Sequence, residues 1–399
     1  MLKKSLILAF VLLSVSFSQT IEEIVAKSLE KNYSFKALEN GIAIAKVQID
    51  LSTKWQNPIL SFGATDIQFE DTIKRDKEPM QGHFVGISQV IPMGDKLEIS
   101  KKIALNDFKV SKLQVAEKQL DFKSKIYEFA YNIKLIEERI FLLDELKNNT
   151  KKLEDFLKEL YKYNKATQVQ ILNAQILYKE LKLKQQQLQT NLKTTKLKLE
   201  QLTYEKIDSI EFDTKIKEIN ILKTIDNHPK ILQILETQNK FENISSLEKE
   251  KKHSDIKVSL TYFQRESYND YVNLSIAIPL AVRNSEELKS RQAKYKSQKI
   301  KNSLEDMRLK FKIQIETLQQ TINDSLQTYK IIKNDILPKF LQLQKTLENY
   351  NSFSSFENID TKALIKNQNE IIKYKLDAIS EKQKYFTSLA KSYYFNEEF

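Results

Sequence analysis

From Leu304 to Tyr350 apolar residues recur at Met307, Phe311, Ile315, Leu318, Ile322, Leu326, Tyr329, Ile332, Ile336, Phe340, Leu343 and Leu347. Thirteen steps cover 46 residues, about 3.5 residues per step, the repeat of a coiled coil. Pro338 lies inside the run and is expected to kink it. Earlier runs have the same spacing. One passes through Ile126, Phe129, Ile133, Ile136, Ile140, Leu143 and Leu146 to Leu153, Leu157 and Leu160; another runs from Ile171, Ala174, Tyr178 and Leu181 to Leu199 and Leu202. The pattern predicts helices over 98–163, 167–203, 285–350 and 361–390, the first about 100 Å long at 1.5 Å per residue. A hairpin of such helices cannot bury its apolar stripe alone and needs lateral neighbours.

Composition agrees. Five Gly and six Pro in 399 residues fall far below the usual share of about 7% and 5%. Glycine-rich phosphate loops and turn-dense β-sandwiches are thereby excluded as the main architecture. The absence of Cys excludes disulfides, thiolate metal sites and cysteine nucleophiles. The three histidines, His83, His228 and His253, are scattered, so neither a metal or catalytic site nor a cofactor is expected. The net charge is +11. Acidic and basic residues alternate along the helices, which describes solvated helix surfaces rather than a nucleic-acid site.

The N-terminus reads as a secretory signal peptide over 1–18. Lys3 and Lys4 are followed by an apolar run from Leu6 to Val15 and by small residues at Ser16 and Ser18. No later apolar stretch reaches the length of a transmembrane helix.

Four segments break the helical period: 59–69, 83–91, 257–265 and 271–280. The last places Val272, Leu274, Ile276, Ile278 and Leu280 on one face and Asn273, Ser275 and Ala277 on the other. The third places Val258, Leu260 and Tyr262 opposite Ser259 and Thr261. Length and alternation suit strands of a membrane barrel, or two small soluble hairpins packed on helices. Trp55, Phe62, Phe69, Phe84, Tyr262, Tyr268 and Tyr271 are candidates for aromatic girdles. Four strands cannot close a barrel, and open edges cannot face lipid, so a membrane-spanning reading requires several chains to share one wall. The charged segment 70–81 would then be an extracellular loop.

The two halves correspond. Pro92 aligns with Pro279, Asn32-Tyr33 with Asn227-His228, and Leu172 with Leu364, at offsets of about 190 residues. A tandem duplication is expected, with repeats at 19–205 and 206–399.

With these features the chain resembles the outer-membrane efflux protein (TolC) family across the length that follows the signal segment. Asn57-Pro58 opens the first strand. Ser88-Gln89-Val90-Ile91-Pro92-Met93-Gly94-Asp95-Lys96-Leu97 is similar to the family's strand exit, and Tyr161, Thr167, Ile171-Leu172 and Ala174 to its first helical turn. Asn164 stands at the turn glycine and Gln170 at the turn aspartate. In the second half the corresponding turn positions read Phe356, Ile359 and Lys362. Lys362 and Ile365 occupy positions where some members carry acidic rings, so an acidic, cation-binding entrance is not expected.

The resemblance implies a mainly α fold with a small β part. Long antiparallel coiled-coil helices would form a periplasmic α-barrel, and four transmembrane strands per chain would give a twelve-stranded barrel in a homotrimer. It implies a passive outer-membrane channel of a Gram-negative bacterium, joined to a periplasmic adaptor and an inner-membrane pump of an efflux or type I secretion system, and no catalysis. It places the closed end and adaptor contact at the helix tips: Asn164, Thr167, Gln168, Gln170, Asn173, Phe353, Phe356, Asp360, Lys362, Ile365, Lys366 and Asn367. A periplasmic coiled-coil adaptor would have one hairpin and glycine-richer β-domains. A secreted coiled-coil structural protein would leave the alternating strands unexplained.

Overall fold

The computed structural model describes residues 20–70, 76–207, 210, 212–222, 224–353 and 361–395. The signal segment 1–18 lies outside them, as do Phe356 and Asp360. Helices α1 (Ile21–Lys31) and α2 (Tyr33–Leu51) lead into β1 (Ile59–Thr65) and β2 (Gly82–Ile91), then α3 (Lys96–Lys162) and α4 (Gln168–Thr203). Among the described residues, a stretch without helix or strand follows. Next come α5 (Pro229–Glu250), β3 (Ile256–Gln264), β4 (Tyr271–Ala277), α6 (Ser285–Lys330), a π-helical segment (Ile331–Ile336), α7 (Leu337–Phe353) and α8 (Thr361–Ser392).

Both halves thus pass from helix to two strands, a long helix and a return helix. The helices lie within about two residues of the positions their periods predict, with one correction. The run expected as a single kinked helix over 285–350 is interrupted by six residues of π-helix. Pro338 has no N–H, and its ring would crowd the carbonyl four residues earlier. The turn widens just ahead of it, where the Leu337 amide donates to Ile332 O, five residues back.

Two strands are shorter than expected. β1 stops at Thr65 because Asp66 turns the chain with φ 55°. β4 stops at Ala277, two residues before Pro279, which cannot donate to a ladder.

The chain divides into two compact units. One comprises Met1–Phe35, Lys118–Thr224 and Phe311–Phe399. Its core is helical. One layer combines Leu143, Leu146, Leu181 and Ile372. Beside α1, Tyr127, Tyr131, Phe386 and Tyr393 pack ring against ring, and Tyr127 Oη donates to Glu22. The stretch after α4 is tied down by its backbone: Gln319 accepts from Ile221 N and donates to Ile219 O, and Tyr385 Oη donates to Lys217 O.

The other unit comprises Lys36–Glu117 and Ile225–Lys310. It holds one sheet in the order β1-β2-β3-β4, antiparallel throughout. The exit from β2 is anchored from the other half of the chain. Asp255 accepts from Met93 N at 3.1 Å and Lys96 Nζ at 2.5 Å, and Glu250 accepts from Asp95 N at 3.2 Å. Gly94, at φ 73°, sits where a Cβ would strike Glu250.

Candidate functional site: a two-faced sheet and a helical tip

Strand register sorts the sheet's side chains. Facing residues of an antiparallel pair point the same way, and neighbours along a strand point oppositely. Leu60, Ile87, Leu260 and Leu274 therefore form one row across all four strands. Phe62, Val85, Tyr262 and Val272 form the next row on the same face. Val258 and Ile276 extend this face, in a row with Gln89. The other face carries Ser61, Gly86, Thr261 and Asn273 in one row, and Ile59, Ser88, Ser259 and Ser275 in another.

The apolar rows are exposed: Phe62 by 81%, Leu274 by 69% and Leu60 by 66%. A soluble chain rarely leaves so large a contiguous apolar surface uncovered. Among the described residues β1 and β4 have no strand beyond them, so both edges are open within one chain.

The girdle candidates divide between the faces. Phe62 and Tyr262 lie on the apolar face; Phe84 and Tyr271 lie on the polar face, in a row with Gly63 and Phe263. Trp55, Phe69 and Tyr268 lie outside the strands.

The tip of the α3–α4 hairpin belongs to the helical unit. Asn164 takes φ 59°. Its amide donates to Tyr161 O, and that of Lys165 to Leu160 O. This pairing satisfies the last carbonyls of α3 in a Schellman turn, with Asn in the place glycine usually fills. Thr167 caps α4: its Oγ1 accepts from Gln170 N, and Gln170 Oε1 accepts from Thr167 N. Beneath the turn, Leu157, Leu160, Ala166, Ile171 and Ala174 form a core against which Ile365 packs.

The expected tip residues separate by burial. Gln168, Asn173, Lys362 and Lys366 are exposed, whereas Gln170 and Ile365 are half-buried. Asn367 is buried, and its Nδ2 donates to Phe340 O at 3.2 Å. Phe353 ends α7. The hydrogen-bond capacity of Gln170 is divided: Oε1 caps its own helix, while Nε2 donates to Thr361 Oγ1 at the start of α8, 2.7 Å away. One level below, Glu154 accepts from Lys151, Lys158 and Gln175. These donors hold its carboxyl well below the usual range, at about 2.

Sequence reading missed a second stripe on α4. Val169, Leu172, Ile176 and Leu183 are exposed along one face, displaced from the core stripe Ile171, Ala174 and Leu181. Its spacing of three, four and seven residues was visible in the sequence. The core stripe alone accounts for the helix, so the second set adds nothing to the helix assignment.

Among the described residues no helix is long and apolar enough to cross a membrane, and no group of three or more His, Asp or Glu could hold a metal ion. No protein-family model and no curated protein sequence matches the chain. Solved structures do match. The outer-membrane channel CmeC of Campylobacter jejuni is 12% identical, with 94% of this chain and 85% of that chain covered and a TM-score of 0.71. The channel MtrE of Neisseria gonorrhoeae, solved in its open state, is 12% identical over 94% and 88%, with a TM-score of 0.70. The outer-membrane protein VceC of Vibrio cholerae is 12% identical over 93% and 96%, with a TM-score of 0.65. The chain has the fold of TolC-like outer-membrane channels, mostly helical with a small antiparallel sheet.

Proposed function

We propose that this chain is the outer-membrane channel of a tripartite efflux or type I secretion system, conducting substrates passively and catalysing nothing. The carrying observation is the sheet: among the described residues it has two complete apolar rows on one exposed face, rows of Ser, Thr and Asn beside one aromatic row on the other, and both edges open. Lipid on one side and water on the other is the environment such a wall fits. Open edges in lipid would leave backbone groups unpaired, at several kcal/mol each, and closure requires β4 of one copy to meet β1 of the next. In a homotrimer four strands per chain become twelve. The long helices are the periplasmic part.

In this reading residues 1–18 are an export signal and 19–205 and 206–399 are tandem repeats. A periplasmic adaptor, itself bound to an inner-membrane pump, contacts the hairpin tips. The exposed stripe Val169, Leu172 and Ile176 is the apolar part of that contact. Gating lies with the tip residues, where partner binding shifts a closed–open equilibrium.

The test is expression in a Gram-negative host, with membrane fractionation, cross-linking and planar-bilayer recording. Expected are an outer-membrane, detergent-resistant trimer and discrete conductance steps. A stable monomer that remains in the soluble fraction without detergent would overturn the proposal.

A further inference from the structure

The polar face of the sheet carries one row that does not belong to a simple water-lined wall. Toward the hairpin loops, serines and threonines give way to Gly63, Phe84, Phe263 and Tyr271, one from each strand. The Phe84 ring lies so close over Gly63 that a Cβ there would come within 2.8 Å of it. Phe84 and Phe263 have ring centroids 5.7 Å apart, and Phe263 and Tyr271 stack at 4.7 Å with planes only 7° apart. The result is a run of three neighbouring rings on β2, β3 and β4, with Phe84 also covering Gly63 of β1.

A cation is fixed beside it. The Arg265 guanidinium stands 4.9 Å from the Tyr271 ring and 5.5 Å from that of Tyr268. Its Nε donates to Asn269 O at 2.7 Å and one terminal nitrogen to Pro79 O at 3.0 Å, so both hairpin loops hold it. The two carbonyls orient the guanidinium, and the Asp270 carboxylate, which accepts from the Arg265 backbone amide at 2.9 Å and from Tyr262 Oη, offsets part of its charge.

We propose that Phe84, Phe263, Tyr271 and Arg265 form a binding belt for planar aromatic anions at the outer mouth of the channel. The inference rests on the channel reading, which turns this face toward the lumen. Flat rings offer stacking surface to a planar aromatic solute, and the adjacent guanidinium selects a sulfonate or carboxylate substituent. The same residues on the lipid face would be an interfacial girdle. On the polar face they meet whatever passes.

The test is current block of the purified wild-type assembly in a planar bilayer. The probes are 1-anilinonaphthalene-8-sulfonate, methanesulfonate as an anion without rings, and benzyl alcohol as a ring without charge. Reversible block by the aromatic sulfonate alone is expected. Phe84→Leu and Phe263→Leu should each weaken it roughly five- to tenfold. Arg265→Gln, which leaves every ring in place, should reduce the preference for the sulfonate over benzyl alcohol by a similar factor. Unblocked wild-type current, or block of equal strength in assembled variants, would overturn the belt and leave the channel standing. A wild-type protein that forms no conducting assembly would overturn both.

Discussion

Gln170 Nε2 donates to Thr361 Oγ1 across 2.7 Å and thereby joins the first turn of α4 to the first turn of α8. The same side chain closes the capping box of α4 through its Oε1. One residue therefore couples a helix start to its neighbour. Thr361→Val removes the acceptor and leaves the cap intact, at a cost of about 1 kcal/mol. Amide exchange should speed up at the start of α8 with α4 unchanged, whereas Gln170→Ala should loosen both. Equal protection in Thr361→Val and wild type would show that the link carries nothing.

The two faces of the sheet should answer differently to charge. Leu274→Arg places a cation in the apolar row, where it should cost about 2–4 kcal/mol if the row lies near the bilayer midplane. Ser275→Arg, the next residue on the opposite face, should be tolerated. Yield of detergent-resistant assembly from membranes measures both. Similar yields for the two variants would contradict the lipid-facing assignment.

Glu154 predicts an acid-sensitive tip. Its carboxyl is held down, first by the hydrogen bond from Lys151 and then by those from Lys158 and Gln175. A carboxyl with a lowered folded pKa stabilises fully above its ordinary value of 4.5, and that stabilisation is lost as pH falls from there toward about 2. The side chain is only 7% exposed, but its lysine partners are nearly half exposed, so solvent screening limits the contribution to about 1 kcal/mol. Glu154→Gln should lower the thermal midpoint at pH 7 and leave it close to wild type at pH 2. A difference that persists undiminished at pH 2 would assign the effect to packing.

Asn164 sets the tip turn through its backbone, at φ 59°. Asn164→Gly should be neutral or slightly stabilising, whereas Asn164→Val should cost about 1–2 kcal/mol, because a β-branched residue resists left-handed φ. Thermal unfolding of the assembled protein compares the two. A valine variant as stable as wild type would mean that the turn re-forms differently.

The helices were legible because their apolar spacing is local and long. The stripe from Leu304 located α6 and α7, and Asn164 with Thr167 marked the tip between α3 and α4. The π-helical segment before Pro338 was not legible, since a proline announces a disturbed hydrogen bond but not how the backbone absorbs it. Asn367 and Ile365 resembled other tip positions in sequence, yet Asn367 is buried against Phe340 O and Ile365 packs on the hairpin core. Burial depends on which helix lies alongside, and no single helix encodes that.

Periodicity and the scarcity of glycine were sufficient by themselves for long helices and four short strands, and the alternation in β3 and β4 for two faces on those strands, since each is a property of consecutive residues. Pairing across the chain was decided only in three dimensions. Register put Phe84, Phe263 and Tyr271 in one row on the polar face, and helix packing brought Gln170 to Thr361, 191 residues away. Contacts between residues so distant are settled by the mutual fit of whole elements, and that fit exists only once they have packed.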